Sequence, residues 1–214
     1  MRLKLLYTAV FTVFILALFS CTRTEPVINY GFLQLVLYQG ETQPQEFFSF
    51  FILAEDEDGF DNLDELYLYH DREQLRWQIN SGDWIHFSQD GKDWIGSRSI
   101  AIQGGNLPRG TYRAVLINKG GEKTQRSFTY DGNVLYPFPS LNITGGVYTV
   151  NSMWPVNRFI CYDNSGNYVS TVTLGSLSGS ISQLGLPSSV RTVALWAEDE
   201  NNFCSAYTNV VPVN

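Results

Sequence analysis

Residues 110–130 read GTYRAVLINKGGEKTQRSFTY and carry the clearest strand and turn pattern of the chain. Residues 112–118 and 125–130 each alternate apolar with polar side chains, and the pair Gly120-Gly121 separates them. Alternation with a period of two is typical of a strand that buries one face, and glycine between two such strands favours a hairpin. The stretch therefore predicts an antiparallel pair of strands that closes a β domain.

The rest of the chain from Val27 onward has the same character. Strands are predicted at residues 45–54, at Leu63–His70 and at residues 75–80, where Trp77 lies on the apolar side. No window of a dozen residues carries an apolar stripe with helical spacing. The sequence therefore predicts an all-β fold class.

A family resemblance follows from three of these segments. The first strand ends in Glu55-Asp56-Glu57-Asp58-Gly59, the next contains Leu66-Tyr67-Leu68-Tyr69, and the hairpin starts with Gly110-Thr111-Tyr112. This pattern resembles bacterial immunoglobulin-like and fibronectin type III-like domains, with Tyr112 at the place of a tyrosine corner. The resemblance implies β-sandwiches that act as spacers, adhesins or binding modules, and it implies no catalytic residue.

Internal repetition indicates that the plan occurs twice. Leu116 and Phe128 are echoed by Leu195 and Tyr207 at a constant offset of 79 residues. A second echo pairs residues 51–54 with residues 159–162 at an offset of 108. Repetition of this kind favours tandem domains.

The predicted organisation has four parts. A helical lipoprotein signal peptide covers residues 1–20 and a short tether covers residues 21–26. An immunoglobulin-like β-sandwich with a tryptophan-rich insertion covers residues 27–131. A smaller immunoglobulin-like β-sandwich covers residues 132–214, where the resemblance is looser.

The leader predicts export and lipid attachment. Arg2 and Lys4 precede an apolar run over residues 5–19. As a helix this run spans roughly 22 Å, which is shorter than a hydrocarbon core of about 30 Å and favours a signal peptide over a membrane span. Residues 18–21, Leu-Phe-Ser-Cys, resemble a lipobox, and its bulky second residue is similar to those of spirochaete lipoproteins.

The resemblance implies that Cys21 carries the lipid and that the protein is anchored to a cell membrane or outer membrane, outside the cytoplasm. The alternative is an ordinary secreted protein that is cleaved elsewhere.

The charge of the chain limits its partners. Without Arg2 and Lys4, 12 basic residues face 21 acidic residues, a net charge of −9. Nucleic acid requires a basic surface, so it is excluded as a partner class. The partners that remain are the membrane, through the lipid anchor, and an envelope protein or a glycan.

An acidic run is the candidate metal site. Asp56, Asp58 and Asp61 lie close together in sequence, and Ca²⁺ is bound by six to eight oxygen ligands. The spacing differs from that of an EF-hand, because Gly59 directly follows Asp58. The alternative is a hydrated turn without a metal, and otherwise no cofactor is predicted.

Two tryptophans and a histidine are the candidate binding residues. If Ile85 and Phe87 face the core, alternation places Trp84 and His86 outward, and Trp94 follows across a predicted turn. Such rings could stack on sugars or anchor a protein partner. The alternative is that both indoles cover an insertion hairpin or complete the core.

Cys161 and Cys204 are the remaining thiols. They either form a disulfide, which an exported protein allows, or remain separate as small buried apolar side chains.

Catalysis has little support in the sequence. The two histidines, His70 and His86, lie in no metal-binding or nucleophile motif. The sequence therefore predicts a non-catalytic adhesin, scaffold or envelope binding module. A carbohydrate-binding lipoprotein is the alternative, and a hydrolase is the third class.

Overall fold

The computed structural model describes residues 24–213, and within them every element of regular structure is a β-strand or a single 3-10 turn. The all-β prediction is confirmed. The predicted signal peptide and Cys21 lie outside the described residues. None of the described residues belongs to a helix that is long and apolar enough to cross a membrane.

Eight strands precede residue 131 and eight follow it. The strands of the first half are β1 (Val27–Tyr38), β2 (Gln45–Glu55), β3 (Leu63–His70), β4 (Leu75–Asn80), β5 (Ile85–Gln89), β6 (Lys92–Ile100), β7 (Gly110–Asn118) and β8 (Lys123–Tyr130). The strands of the second half are β9 (Ser140–Thr144), β10 (Val147–Asn151), β11 (Val156–Tyr162), β12 (Tyr168–Thr173), β13 (Ser178–Ser180), β14 (Thr192–Asp199), β15 (Cys204–Tyr207) and β16 (Val211–Pro212).

Each half is a sandwich of two layers. In the first half, the order β1-β2-β6-β5 faces the order β4-β3-β7-β8. In the second half, β9-β10-β13 faces β12-β11-β14-β15, and β16 also pairs with β14. These are the strand orders of immunoglobulin-like sandwiches, in which a sheet with the first, second and fifth strands packs on a sheet with the third, sixth and seventh.

The two halves share one sheet. β1 pairs in parallel with β15, with Leu35 opposite Cys204 and Leu37 opposite Ala206. This pairing joins one layer of each half into a nine-stranded sheet, with the order β12-β11-β14-β15-β1-β2-β6-β5 along its main path. The halves are therefore connected by backbone hydrogen bonds, including the bond from the Leu35 N–H to the Phe203 carbonyl at 2.9 Å.

The core of the first half also contains residues that follow residue 131 in the sequence. It contains Leu35, Phe48, Phe50 and Leu66 together with side chains contributed by the second half: Trp154, Ala197, Cys204 and Ala206. The second core is smaller and is built around Phe159, Cys161, Val193 and Leu195. The domain boundary near residue 131 stays a prediction, because the two halves share both a sheet and part of a core.

The β7–β8 hairpin forms as the sequence predicts. β7 and β8 pair in antiparallel register, with Tyr112 opposite Phe128. The Tyr112 side chain is fully buried, and its hydroxyl donates to the Pro108 carbonyl at 2.6 Å. This bond back to the preceding loop is the tyrosine corner that the resemblance implied.

One of the two sequence echoes is structural and the other is not. The offset of 79 matches β7 with β14 and β8 with β15, which hold equivalent places in the two sandwiches. The offset of 108 pairs residues of β2 with residues of β11, but β11 lies between β12 and β14 and therefore corresponds to β3. That second match is wrong, because apolar strands resemble one another whatever their position.

Candidate functional site

The outer face of the nine-stranded sheet forms a groove across both halves. We call it the aromatic groove, and it has a volume of about 1220 Å³. One wall comes from β1, β2, β5 and β6, and the other comes from β11, β12, β14 and β15. Its lining includes Phe32, Tyr38, Phe87, Arg98, Trp196 and Tyr207.

β1 shows why the groove forms. Leu33, Leu35 and Leu37 point into the first core, so the alternate residues Phe32 and Tyr38 face the other side of the sheet. The described part of the chain places no second layer over this face along β1, since the other sheet of the first half packs on the leucine side. A strand with two apolar faces therefore presents one of them to the groove.

Stacked rings build the wall on the side of the first half. Phe32 stacks with Phe51 at 5.8 Å between ring centroids, and Phe87 is parallel to Trp94 at 6.2 Å. Gly96 makes room for this layer. A Cβ there would lie 2.0 Å from the Phe50 carbonyl oxygen and 2.8 Å from the Phe51 ring.

Tyrosine hydroxyls line the wall on the side of the second half. The Tyr162 and Tyr207 hydroxyls are 2.7 Å apart, and the Tyr38 ring lies 5.6 Å from that of Tyr207. Burial, together with the hydrogen bond shared with Tyr162, raises the pKa of Tyr207. Both hydroxyls are therefore neutral at neutral pH, and the one that accepts this bond keeps a hydrogen that it can donate to a ligand.

Glu198 organises the polar part of this wall. It accepts hydrogen bonds from Gln34 Nε2 at 3.1 Å and from Trp196 Nε1 at 3.3 Å, and it forms a salt bridge with Arg158. Its side chain is only 14% exposed. With three donors on two oxygens, the carboxylate acts as a brace between β1, β11 and β14.

Arg98 lies on the groove face beside a β-bulge. Phe48 is opposite Ile100 and Phe50 is opposite Ser97, so Arg98 and Ser99 together face the single residue Ser49. Arg98 follows Trp94 and Gly96 on the groove face by regular alternation, and the bulge after it returns Ile100 to the core face. Arg98 is exposed and lines the groove, and within residues 24–213 its side chain forms no salt bridge and no hydrogen bond.

The charge of Arg98 acts on its surroundings. Burial raises the pKa of the Tyr38 hydroxyl, and the nearby positive charge of Arg98 works against that increase. The groove thus places an unpaired guanidinium beside a tyrosine whose hydroxyl is neutral.

A second bulge lies at the opposite rim. Cys161 pairs with Ser170 and Tyr162 pairs with Tyr168, which leaves Val169 as an extra residue in β12. Tyr168 lines the groove and is 63% exposed. Bulges occur frequently beside functional sites, and here one lies on each side of the groove.

The predicted trio of Trp84, His86 and Trp94 does not form one surface. Trp94 pairs directly with Phe87, so both face the groove side of the sheet. His86 pairs directly with Ile95, which is fully buried, so His86 lies on the opposite face. The two indoles lie on different faces of the sheet, because Ile85 and Phe87 face outward rather than into the core. Ligand binding by Trp84, His86 and Trp94 stays a prediction.

Trp84 and His86 instead cover Phe60. The His86 ring stacks on Phe60 at 4.1 Å and its Nε2 lies 2.9 Å from Asp93 Oδ1. Hydrogen bonds from Ser88 and then from His86 lower the pKa of Asp93. Trp84 is half-buried against the first core, as the alternative interpretation of the sequence has it.

The acidic run forms a braced turn. Asp56 accepts hydrogen bonds from the Asp58 N–H at 2.9 Å and from the side chains of Asn62 and Asn118, each at 3.1 Å. Burial opposes ionisation, but these bonds lower the pKa of Asp56. Asp58 and Asp61 are exposed, and no metal-binding group of three acidic, histidine or cysteine side chains occurs in residues 24–213. Calcium binding here stays a prediction.

The two thiols do not form a disulfide. Cys161 and Cys204 are both free and fully buried, and they lie in different cores. Burial raises the pKa of both, that of Cys204 to about 11.

The sequence patterns did not identify the residues of the groove. Their signal was present in β2, where residues 47–54 are apolar apart from Ser49 and leave no polar face. Such runs indicate a strand that is covered or occupied on both faces. The contribution of β11, β14 and β15 depends on the parallel pairing of β1 with β15, which no local pattern reports.

Comparisons with known proteins give only distant similarities. No protein-family model matches the sequence, and a search of curated proteins finds no match. Among solved structures, the chain is similar to Tp47, the 47-kilodalton lipoprotein of Treponema pallidum, with 15% identity and a TM-score of 0.43. That similarity covers 89% of this chain and 52% of Tp47, so the chain spans about half of its length.

Two further structures are similar to this chain. Dimeric latent PorU from Porphyromonas gingivalis has 14% identity and a TM-score of 0.33, covering 88% of this chain and 20% of PorU. Murine CEACAM1b has 9% identity and a TM-score of 0.27, covering 86% of this chain and 99% of its own. Similarities at this level support no inference about function.

Proposed function

We propose that this chain is a non-catalytic binding module that is held to a membrane outside the cytoplasm through lipid on Cys21, and that the aromatic groove is its binding site. The observation that carries the proposal is an open sheet face on which rings, hydroxyls and a free guanidinium converge from both halves of the chain. Concave sites with aromatic walls and a few polar groups are typical of ligand binding.

The absence of catalysis is part of the proposal. Glu198 is held beside the polar wall by Gln34, Arg158 and Trp196. A general base must lie within hydrogen-bond reach of its substrate, and the side chain of Glu198 does not line the groove. We expect no turnover on a panel of generic esters and peptides.

Carbohydrate binding is the second candidate, and the groove favours it more than the sequence did. Sugars present C–H faces that pack on rings and hydroxyl edges that form hydrogen bonds. Here the rings of Phe32 and Trp196 share a groove with the hydroxyls of Tyr162 and Tyr207. This arrangement replaces the Trp84 and Trp94 platform that the sequence predicted.

Binding to an array of oligosaccharides and purified envelope proteins tests the site. Tyr168→Ala removes an exposed ring from the groove rim and should weaken binding, whereas Tyr67→Ala removes a ring from the other sheet of the first half and should not. Equal binding by both variants and the parent would place the ligand elsewhere and refute the proposed site.

Labelling of the full chain with a fatty-acid analogue tests the anchor. We expect the parent to incorporate label and to sediment with membranes, and Cys21→Ser to do neither. Two or more acyl chains hold a protein firmly at a bilayer, whereas one chain does so only marginally. Unchanged membrane partition of Cys21→Ser would refute lipid anchoring.

A further inference from the structure

The centre of the aromatic groove has no free backbone edge. There β1 pairs with β15 on one side, over residues 35–38, and with β2 on the other. An extended peptide that adds to a sheet needs unpaired N–H and C=O groups. In the described nine-stranded sheet, such groups lie toward the ends of the groove, on the outer strands β12 and β5 and on β1 before residue 35. An occupant of the centre of the groove must therefore be recognised by side chains.

The side chains alternate between apolar and polar chemistry. Phe32 and Phe51 provide an apolar floor beside Gln34 and Ser49, and on the other wall Trp196 lies beside Tyr207. An amphipathic helix buries one continuous apolar stripe, which does not match a surface where apolar and polar side chains alternate. A chain of sugar rings, with apolar faces and hydroxyl edges, matches both kinds of group.

The free charge in the groove is positive although the protein is acidic. The formal net charge of the whole chain is −7. Arg158 in the groove is neutralised by Glu198 and Glu200. Arg98 forms no salt bridge within residues 24–213, and it lies on the groove face beside a β-bulge.

We propose that the aromatic groove binds an oligosaccharide that carries carboxylate groups, and that Arg98 is the residue that pairs with a carboxylate of the sugar. A guanidinium offers two parallel N–H donors to a carboxylate, which gives direction as well as attraction. The sugar rings lie against the aromatic walls, and the phenol hydroxyls of Tyr162 and Tyr207 bond to their edges. This inference rests on the proposed function, since it assigns a ligand class to the same groove.

Calorimetric titration of the full chain in detergent micelles tests the charge. The probes are an oligogalacturonate and its methyl ester, which differ in charge but have the same rings. We expect the acid to bind about tenfold more tightly than the ester, the usual scale for a charge-assisted hydrogen bond at a partly exposed site. Equal affinity for the two probes would overturn the inference.

The variant Arg98→Gln tests whether the charge of Arg98 itself contributes to binding of the acid. Its side chain has no partner to lose in the described chain, so folding should be unaffected. We expect Arg98→Gln to weaken binding of the acid about tenfold and to leave binding of the ester unchanged. Arg76→Gln is the matched control, because Arg76 is exposed on a strand of the other sheet, and it should change neither affinity.

The outcomes separate this inference from the proposed function. If both probes bind equally and Tyr168→Ala weakens the binding of both, the groove binds sugars but does not discriminate between the acid and the ester. The inference then fails, while the proposed function stands. If neither probe binds, the inference fails, and the array of envelope proteins decides the function. If Arg98→Gln and Arg76→Gln reduce acid binding alike, the attraction is a general charge effect and the assignment to Arg98 is wrong.

Discussion

Replacing Tyr112 with phenylalanine tests whether the tyrosine corner stabilises the first sandwich. The ring packs against Phe48 at 5.3 Å, His70 at 4.7 Å and Trp77 at 6.2 Å, and phenylalanine keeps these contacts. The change removes only the hydroxyl that donates to the Pro108 carbonyl at 2.6 Å. It therefore isolates a single hydrogen bond.

The expected loss in the free energy of unfolding is about 2 kcal/mol. One hydrogen bond contributes about 1 kcal/mol net, and a partly buried carbonyl left without its donor adds a cost of up to about the same size. For a chain of this length, that loss lowers the melting temperature by about 4–8 °C.

Thermal and denaturant unfolding of the full chain, followed by circular dichroism, measures the effect. Tyr67→Phe is the control, because the Tyr67 hydroxyl bonds to Glu65 at 3.1 Å on the outer face of the same sheet, where the bond is less buried. The control should shift the melting temperature by no more than about 2 °C. If Tyr112→Phe shifts it no more than the control does, the corner does not stabilise the fold as argued.

Three further predictions follow from the same structure. Calorimetry should show a single unfolding transition, because β1 and β15 pair and Cys204 lies in the first core; two resolved transitions would mean that the halves fold independently. The free energy of unfolding should decrease as pH rises from about 9 to about 11, because burial raises the pKa of Cys204 from 9.0 to about 11 and the unfolded chain loses this proton first. Below pH 9 the effect is absent. Cys204→Ala should show a shallower decrease in melting temperature over the same pH range. Millimolar calcium should leave the melting temperature unchanged, because Asn62, Asn118 and a backbone N–H already bind the Asp56 oxygens; a saturable increase that Asp56→Asn abolishes would establish a calcium site.

Local patterns predicted the parts of the fold that depend on local chemistry. The strand Leu63–His70 has the bounds that the alternation predicts. The β7–β8 hairpin turns where the glycines indicate a turn. Tyr112 could be placed because its bond to Pro108 spans only four residues. In each case the residues that determine the structure are neighbours in the chain.

The candidate site could not be predicted in the same way. Trp84 and Trp94 were placed on one face because both faces of β5 and β6 carry aromatic rings, so alternation alone does not fix which face is buried. Arg98 follows Trp94 and Gly96 on one face by simple alternation, but that face borders a groove only because β15 pairs with β1. This pairing joins distant segments of the chain, which the sequence of a single strand does not report.

The groove and the junction between the halves are one feature. Cys204 and Ala206 are small enough for β15 to lie beside β1 with both strands facing the first core, and this contact continues the sheet. On the opposite side of the same strands, Tyr207 meets Tyr38 and Gln34 meets Glu198. Neither half supplies both walls, so separating the halves would abolish the site. A ligand that binds the groove therefore binds only the joined form, and it must stabilise the junction by the free energy of its own binding.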